Sequence, residues 1–214
     1  IDHAKGDELI LHEGEYKANI IIQHPIKITA VGNVVLKPAN PKEPVITIEK
    51  TKQVSIEGLQ FEGNNKAIQI KDAQSVYLSN LSIQKVNSGI ELYRAKNIEI
   101  KNTNIIGTKK HYANKGNGIS IFNSRHCFVE GNYINKMQDG VYVEEGSNIT
   151  VHNNEVKNGR YGTHFMYSQK VIAKDNTYTK NVTGLMVMMT KNIKLLTNNV
   201  SYQEGFNGTG ITLY

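Results

Sequence analysis

Four of the five methionines lie in one short stretch of the chain, between Met166 and Met189. Met166 and Met188 are 22 residues apart, and so are His164 and Met186. Thioether and imidazole groups are ligands that suit Cu(I), and the flexible methionine side chain adjusts easily to complete a ligand set. The pattern predicts a metal site for Cu(I), bound transiently, that consists of His164, Met166, Met186 and Met188.

Two other interpretations of the same methionines remain open. They could lie under a covering loop, or they could form an apolar contact patch for a partner protein. A nucleotide site or a zinc-protease site is not indicated, because the chain contains no P-loop, no dinucleotide fingerprint and no HExxH motif. Acid clusters for sugar chemistry are not evident either, since no two of the five aspartates are spaced i, i+2 on one strand.

The composition is typical of a turn-rich protein with a thin core. Of 214 residues, 39% are hydrophobic, 25 are asparagine and 18 are glycine. The net charge is +6, from 25 cationic and 19 acidic residues, and 22 of the cations are lysines against three arginines. Because nucleic-acid readers favour arginine forks, the lysines indicate a solvated surface and no nucleic-acid partner. The single cysteine, Cys127, excludes an intramolecular disulfide and is expected to be a buried apolar side chain.

The elements that position the methionines follow from a repeat of 22 residues. A glycine followed by alternating apolar residues recurs from Gly89 to Gly210, mostly in steps of 22. Two further series of strand-like segments repeat in the same way, and no segment keeps a period of 3.6. Three short strands per coil of about 22 residues predict an all-β fold, a right-handed parallel β-helix. Roughly ten coils at about 4.8 Å each would give a rod on the order of 45 Å long.

Strand alternation assigns the side chains to two faces. Phe165 and Leu185 are predicted to point inward, so the histidine and the three methionines of the predicted copper site point outward as a two-by-two square. One turn position carries asparagine at 22-residue steps, which predicts a structural ladder of stacked side-chain amides. Its members are Asn132, Asn154, Asn176 and Asn198.

The whole sequence, residues 1–214, is expected to form a single β-helix domain. Residues 1–50 are predicted to form irregular opening coils and residues 51–214 regular coils, with an insertion within residues 107–117. The final strand-like run is not followed by a capping element. An uncapped coil exposes a strand edge, so we expect the chain to be a fragment of a longer protein.

One segment of the chain resembles a known family. Residues 160–168, RYGTHFMYS, are similar to the signature segment of NosD-type proteins, which are periplasmic β-helix proteins of the nitrous oxide reductase maturation system. The opening run GDELIL, residues 6–11, is also similar to the first coil of that family. His164 and Met166 lie within the matching segment, whereas Met186 and Met188 rest on the stacking argument alone.

The resemblance implies a non-enzymatic copper-handling maturation factor of the periplasm. Such a protein works with an ABC-type ATPase and permease, receives copper from a lipoprotein copper chaperone and assists its delivery to nitrous oxide reductase. Its association with the membrane is indirect, through the permease. Two alternatives from other functional classes remain: a carbohydrate-active β-helix enzyme (lyase, hydrolase or epimerase), and a purely structural docking protein.

Overall fold

The computed structural model describes residues 7–63, 65–205 and 208–214, and it is built almost entirely from short parallel strands. The fold is a parallel β-solenoid of about nine turns with about 22 residues per coil, which confirms the predicted fold class. The nine strands of its smaller sheet indicate nine coils instead of the roughly ten expected. Among the described residues, no helix has the length and apolar character needed to cross a membrane.

Each regular coil contributes one strand to a nine-stranded sheet, called sheet B, and two strands to a sixteen-stranded sheet, called sheet A. The strands of sheet B are β2 (Ile20–Ile22), β4 (Ile46–Glu49), β7 (Lys66–Lys71), β10 (Ser88–Tyr93), β13 (Ile119–Phe122), β16 (Asp139–Glu144), β19 (Tyr161–Met166), β22 (Thr183–Met188) and β25 (Thr209–Leu213).

We call the two halves of sheet A its first and second face, because the two strands that each coil contributes to it lie on different sides of the core. The first face contains β5 (Lys52–Glu57), β8 (Gln74–Ser79), β11 (Lys96–Lys101), β14 (Arg125–Glu130), β17 (Ser147–His152), β20 (Gln169–Lys174) and β23 (Lys191–Leu196). The second face contains β6 (Gln60–Glu62), β9 (Ser82–Val86), β12 (Asn104–Gly107), β15 (Tyr133–Asn135), β18 (Glu155–Lys157), β21 (Thr177–Thr179) and β24 (Asn199–Ser201).

The opening of the solenoid differs from the regular coils. The long strand β3 (Ile26–Lys37) pairs with both β5 and β6, and in this way joins the two faces of sheet A. Strand β1 (Glu8–Lys17) runs parallel to β3, with a register shift between His12 and Gly14. The insertion between β12 and β13 contains one 3-10 helix, η1 (Tyr112–Asn114).

The alternation of side chains matches the sequence pattern. Val141 on β16, Phe165 on β19 and Leu185 on β22 are all fully buried in the core. Cys127 is buried as well, and burial raises the pKa of its thiol to about 12, so it is an inert core residue. The inward columns are thus filled by apolar side chains that stack from coil to coil.

The predicted asparagine ladder is present at the start of β15, β18, β21 and β24. The Nδ2 atom of Asn132 donates to Oδ1 of Asn154 at 2.9 Å, and Nδ2 of Asn154 donates to Oδ1 of Asn176 at 3.0 Å. Each Oδ1 also accepts from a backbone N–H one coil earlier, as Oδ1 of Asn154 does from Asn132 at 2.9 Å. Every buried amide of the turn is therefore bonded to its neighbours along the solenoid axis.

Replacing Asn154 with alanine is expected to lower the free energy of unfolding by about 3 kcal/mol. The backbone N–H of Asn132 would lose its acceptor inside the protein, and a buried unpaired donor costs about 1–3 kcal/mol in addition to the lost bonds. Urea denaturation of Asn154→Ala and of Asn199→Ala measures the difference. Asn199 is exposed on β24, so its replacement should cost less than about 0.5 kcal/mol. Equal losses in the two variants would refute a stabilising ladder.

Candidate functional site

The four residues of the predicted copper site lie on neighbouring strands of sheet B. The parallel register pairs His164 with Met186 and Met166 with Met188, which is the arrangement that the 22-residue spacing predicts. Tyr142 and Glu144 continue the same two columns on β16. The stacking is confirmed, while the binding of a metal by these side chains stays a prediction.

These outward side chains are less accessible than an outer face would suggest. His164 is 6% exposed and Met186 is 7% exposed, whereas Met166 and Met188 are half-buried. Two rings flank the imidazole of His164: the Tyr142 ring at 4.9 Å and the Tyr161 ring at 5.0 Å between centroids. The outer face of sheet B therefore carries a second packed layer at this point.

A buried carboxylate anchors this layer. The side chain of Asp139 is fully buried, and both of its oxygens accept hydrogen bonds from Arg160, at 2.9 and 2.8 Å. The carboxylate holds the pKa of the Arg160 guanidinium above its usual value through these bonds. Nδ1 of His164 lies 3.3 Å from Oδ2 of the same carboxylate. Arg160 and Asp139 therefore fix the orientation of the His164 ring.

The other ring nitrogen of His164 is in a different situation. Its Nε2 atom is buried and has no hydrogen-bond partner among the described residues. A buried polar atom of this kind usually has a partner, so the exception indicates a ligand or a strained position. Histidines that bind metals generally engage a carboxylate through the nitrogen that does not bind the metal. The geometry of His164 fits that arrangement.

Aromatic rings form a continuous series along the outer face of sheet B. The rings of Tyr93 and Phe122 are stacked, with centroids 4.8 Å apart and planes at 14°. Phe122 in turn contacts Tyr142, at 5.6 Å between centroids. With His164 and Tyr161, five rings on β10, β13, β16 and β19 lie in contact with one another. We call this set the ring series.

Two carboxylates flank the ring series. Glu91 is bonded to Lys66 at 2.5 Å and accepts from the Ser88 hydroxyl at 3.0 Å. Glu144 accepts from the Tyr142 hydroxyl at 2.8 Å and forms no ion pair with a cation of the described residues. Glu144 is therefore the carboxylate of this surface whose charge no neighbouring cation neutralises.

Two tyrosines of the ring series, Tyr93 and Tyr142, are held in their neutral form. Burial, followed by the bond to Glu144, raises the pKa of Tyr142 far above its usual value. Burial likewise raises the pKa of Tyr93, with further contributions from the charges of Glu91 and Glu144. Both phenols are consequently hydrogen-bond donors at neutral pH, and neither can serve there as a base.

The sequence patterns did not identify Asp139 and Arg160 as partners. The two residues are 21 positions apart, one less than the repeat, so they do not share a column. Asp139 also comes directly before Gly140, where the inward and outward alternation of β16 begins. The sequence signal that could have drawn attention to this pair is the rarity of the two residue types, since the chain has only three arginines and five aspartates.

Comparison with known families places this fold in a class. The model of the right-handed β-helix region matches residues 44–200, and the chain belongs to this family. No curated protein matches the sequence. The family match establishes the β-helix part of the sequence-based resemblance, and none of the comparisons points to the NosD-type proteins in particular.

Three solved structures illustrate the likeness. The surface adhesin PfbA of Streptococcus pneumoniae has a TM-score of 0.76 at 13% identity, over 94% of this chain and 64% of that one. A polygalacturonase from Erwinia carotovora ssp. carotovora has a TM-score of 0.58 at 12% identity, over 97% and 87%. An alginate lyase from Paenibacillus sp. has a TM-score of 0.50 at 15% identity, over 92% and 94%. The chain thus spans somewhat less than two thirds of the adhesin, and these likenesses show the fold alone.

The comparisons correct one expectation drawn from the family resemblance. A non-enzymatic protein was expected, partly because no acid pair was evident along any strand. That expectation is wrong, because the solved structures that share this fold include a polygalacturonase and an alginate lyase. The search for acids along single strands also overlooked the stacking of coils, which places Glu91 and Glu144 beside the same ring series.

Proposed function

We propose that this chain is a carbohydrate-processing β-helix protein that binds a sugar polymer across the outer face of sheet B. The observation that carries the proposal is the ring series, which crosses four coils and is flanked by Glu91 and Glu144. Sugar rings have apolar C–H faces that pack against aromatic side chains, and their hydroxyl groups bond to carboxylates. A surface of rings and carboxylates along the solenoid axis suits an extended chain of sugars.

Glu144 is the proton-transfer residue of this proposal. Cleavage of glycosidic bonds commonly depends on a carboxyl group that gives or takes a proton next to the scissile oxygen. Glu144 is partly exposed and has no cation partner among the described residues, whereas Glu91 is bonded to Lys66. The Tyr142 hydroxyl donates to the Glu144 carboxylate at 2.8 Å and so holds it beside the ring series.

Replacing Glu144 with glutamine is expected to lower the turnover of a polysaccharide at least 100-fold, because the amide keeps the shape of the side chain but cannot transfer a proton. A panel of neutral and acidic polysaccharides is assayed for new reducing ends and for the ultraviolet absorbance of unsaturated products. The matched control is Glu145→Gln, one residue further along the chain and exposed. The proposal fails if the parent processes no polymer, or if Glu144→Gln is as active as Glu145→Gln.

Binding of Cu(I) is a second candidate function, favoured by the unpartnered Nε2 of His164. His164, Met166, Met186 and Met188 would hold the ion, and the Asp139 carboxylate at Nδ1 would fix the ring for binding through Nε2. The RYGTHFMYS segment supports the same candidate. On this reading the partners would be an ABC-type ATPase and permease, a lipoprotein copper chaperone and nitrous oxide reductase.

Under either candidate we propose an extracytoplasmic location, and the periplasm for the copper candidate. One structurally similar protein is named as a surface adhesin, which agrees with this placement. Polymeric sugars are mostly encountered outside the cytoplasm, which agrees with the same placement.

Replacing both Met166 and Met186 with leucine is expected to weaken Cu(I) binding at least tenfold, because leucine fills similar space without a sulfur ligand. The affinity is measured anaerobically by competition with a chromophoric Cu(I) chelator. Met137→Leu is the matched control, since Met137 is buried and lies outside both columns. Equal affinities of the double variant and the control would exclude these thioethers as ligands.

A further inference from the structure

A second surface of the solenoid is strongly basic. A groove of about 680 Å³ runs along the turns that connect sheet B to the first face of sheet A. Its lining contains five cations and one carboxylate, Asp72. The five cations are Lys50, Lys52, Arg94, Lys96 and Arg125. We call these residues, together with Asp72, the basic groove.

The coil repeat arranges the cations in lines. Lys52, Lys96 and Arg125 belong to one column, because Lys52 and Lys96 both pair with Gln74 and Lys96 pairs with Arg125. Successive members of a column are separated by the spacing of parallel strands, about 4.8 Å per coil. Lys50 and Arg94 form a parallel line on the turns, where both have a positive φ, of 51° and 50°. The groove therefore presents cations in two lines along the solenoid axis, one or two coils apart.

Most of this charge is not neutralised within the chain. Arg94 forms two bonds of 2.7 Å with Asp72, and this pairing lowers the pKa of Asp72. The other four cations form no ion pair with an acidic side chain in the part of the chain that the structure describes. Cations held side by side repel one another, so a bound polyanion would relieve that repulsion.

The basic groove is continuous with the ring series along the polypeptide chain. Tyr93 is followed directly by Arg94, and Phe122 is followed after two residues by Arg125. A polymer that stacks on the Tyr93 and Phe122 rings would therefore pass the cations at the adjoining turns. This continuity favours a ligand that has sugar rings and negative charges together.

We propose that the basic groove binds the carboxylate or sulfate groups of an acidic polysaccharide that extends from the ring series. The inference rests on the proposed function and names its substrate class. Lysines and arginines recognise such anions through charge-assisted hydrogen bonds, and the contacts weaken as salt screens them. The groove selects charged polymers, while the rings and Glu144 act on the sugar chain itself.

The test is affinity electrophoresis of the whole chain in gels that contain polygalacturonate or its fully methyl-esterified form. The two polymers share a backbone and differ in charge. We expect polygalacturonate to retard the parent strongly and the ester to retard it little. A triple charge reversal, Lys52→Glu, Lys96→Glu and Arg125→Glu, should weaken retardation at least tenfold. Lys109→Glu, Lys110→Glu and Lys180→Glu together form the control with the same change in net charge at exposed positions outside the groove.

Three results would overturn the inference. One is equal retardation of the parent chain by the two polymers, a result that does not depend on the folding of any variant. Another is equal weakening in the groove variant and the control variant, with the fold of both checked by circular dichroism. The third is tighter binding of duplex DNA than of polygalacturonate at matched charge and salt, which would assign the groove to nucleic acid.

These gels, together with the assay of polysaccharide processing, separate this inference from the proposed function. If the parent binds and processes both polymers equally, the groove fails and the carbohydrate function stands. If binding depends on charge but Glu144→Gln and the parent both leave the polymer intact, the groove stands as a binding surface and the proposed catalytic role fails.

Discussion

The close contact between successive coils is the constraint on which the rest of the structure depends. At Gly162 an added Cβ would lie 2.4 Å from the carbonyl oxygen of Gly184 on the next coil, and at Gly140 it would lie 2.5 Å from that of Gly162. No side chain fits such a gap, so glycine is required at these two positions, near the start of β16 and of β19. Backbone hydrogen bonds can then run unbroken from coil to coil, and each repeat position becomes a column of stacked side chains.

This scaffold separates stability from function. The inward columns stay largely apolar from coil to coil, and the asparagine ladder pairs the buried amides from Asn132 to Asn198. Together they hold the rod. The outward columns of sheet B are free to vary. Along the axis they change from the rings and carboxylates around Tyr93 and Glu144 to the imidazole and thioethers around His164 and Met186. The buried Asp139–Arg160 pair lies where the two regions meet.

The repeat made most of the fold predictable from the sequence. A 22-residue period together with strand alternation is enough to assign the parallel register, the inward faces and the pairing of His164 with Met186. The repeat could not predict the contacts between different columns. Asp139 and His164 belong to different columns of neighbouring coils, and only the three-dimensional turn before Gly140 brings their side chains to 3.3 Å. The burial of His164 was also missed, because it results from the Tyr142 and Tyr161 rings that flank it.

The central claim is that a sugar polymer lies along the ring series on sheet B, and a crystal structure of the Glu144→Gln protein with a bound oligosaccharide tests it most directly. The proposed function predicts sugar rings packed over Tyr93, Phe122 and Tyr142, with a glycosidic oxygen within hydrogen-bond distance of residue 144. An oligosaccharide bound on either face of sheet A, with the ring series left uncovered, would contradict the claim.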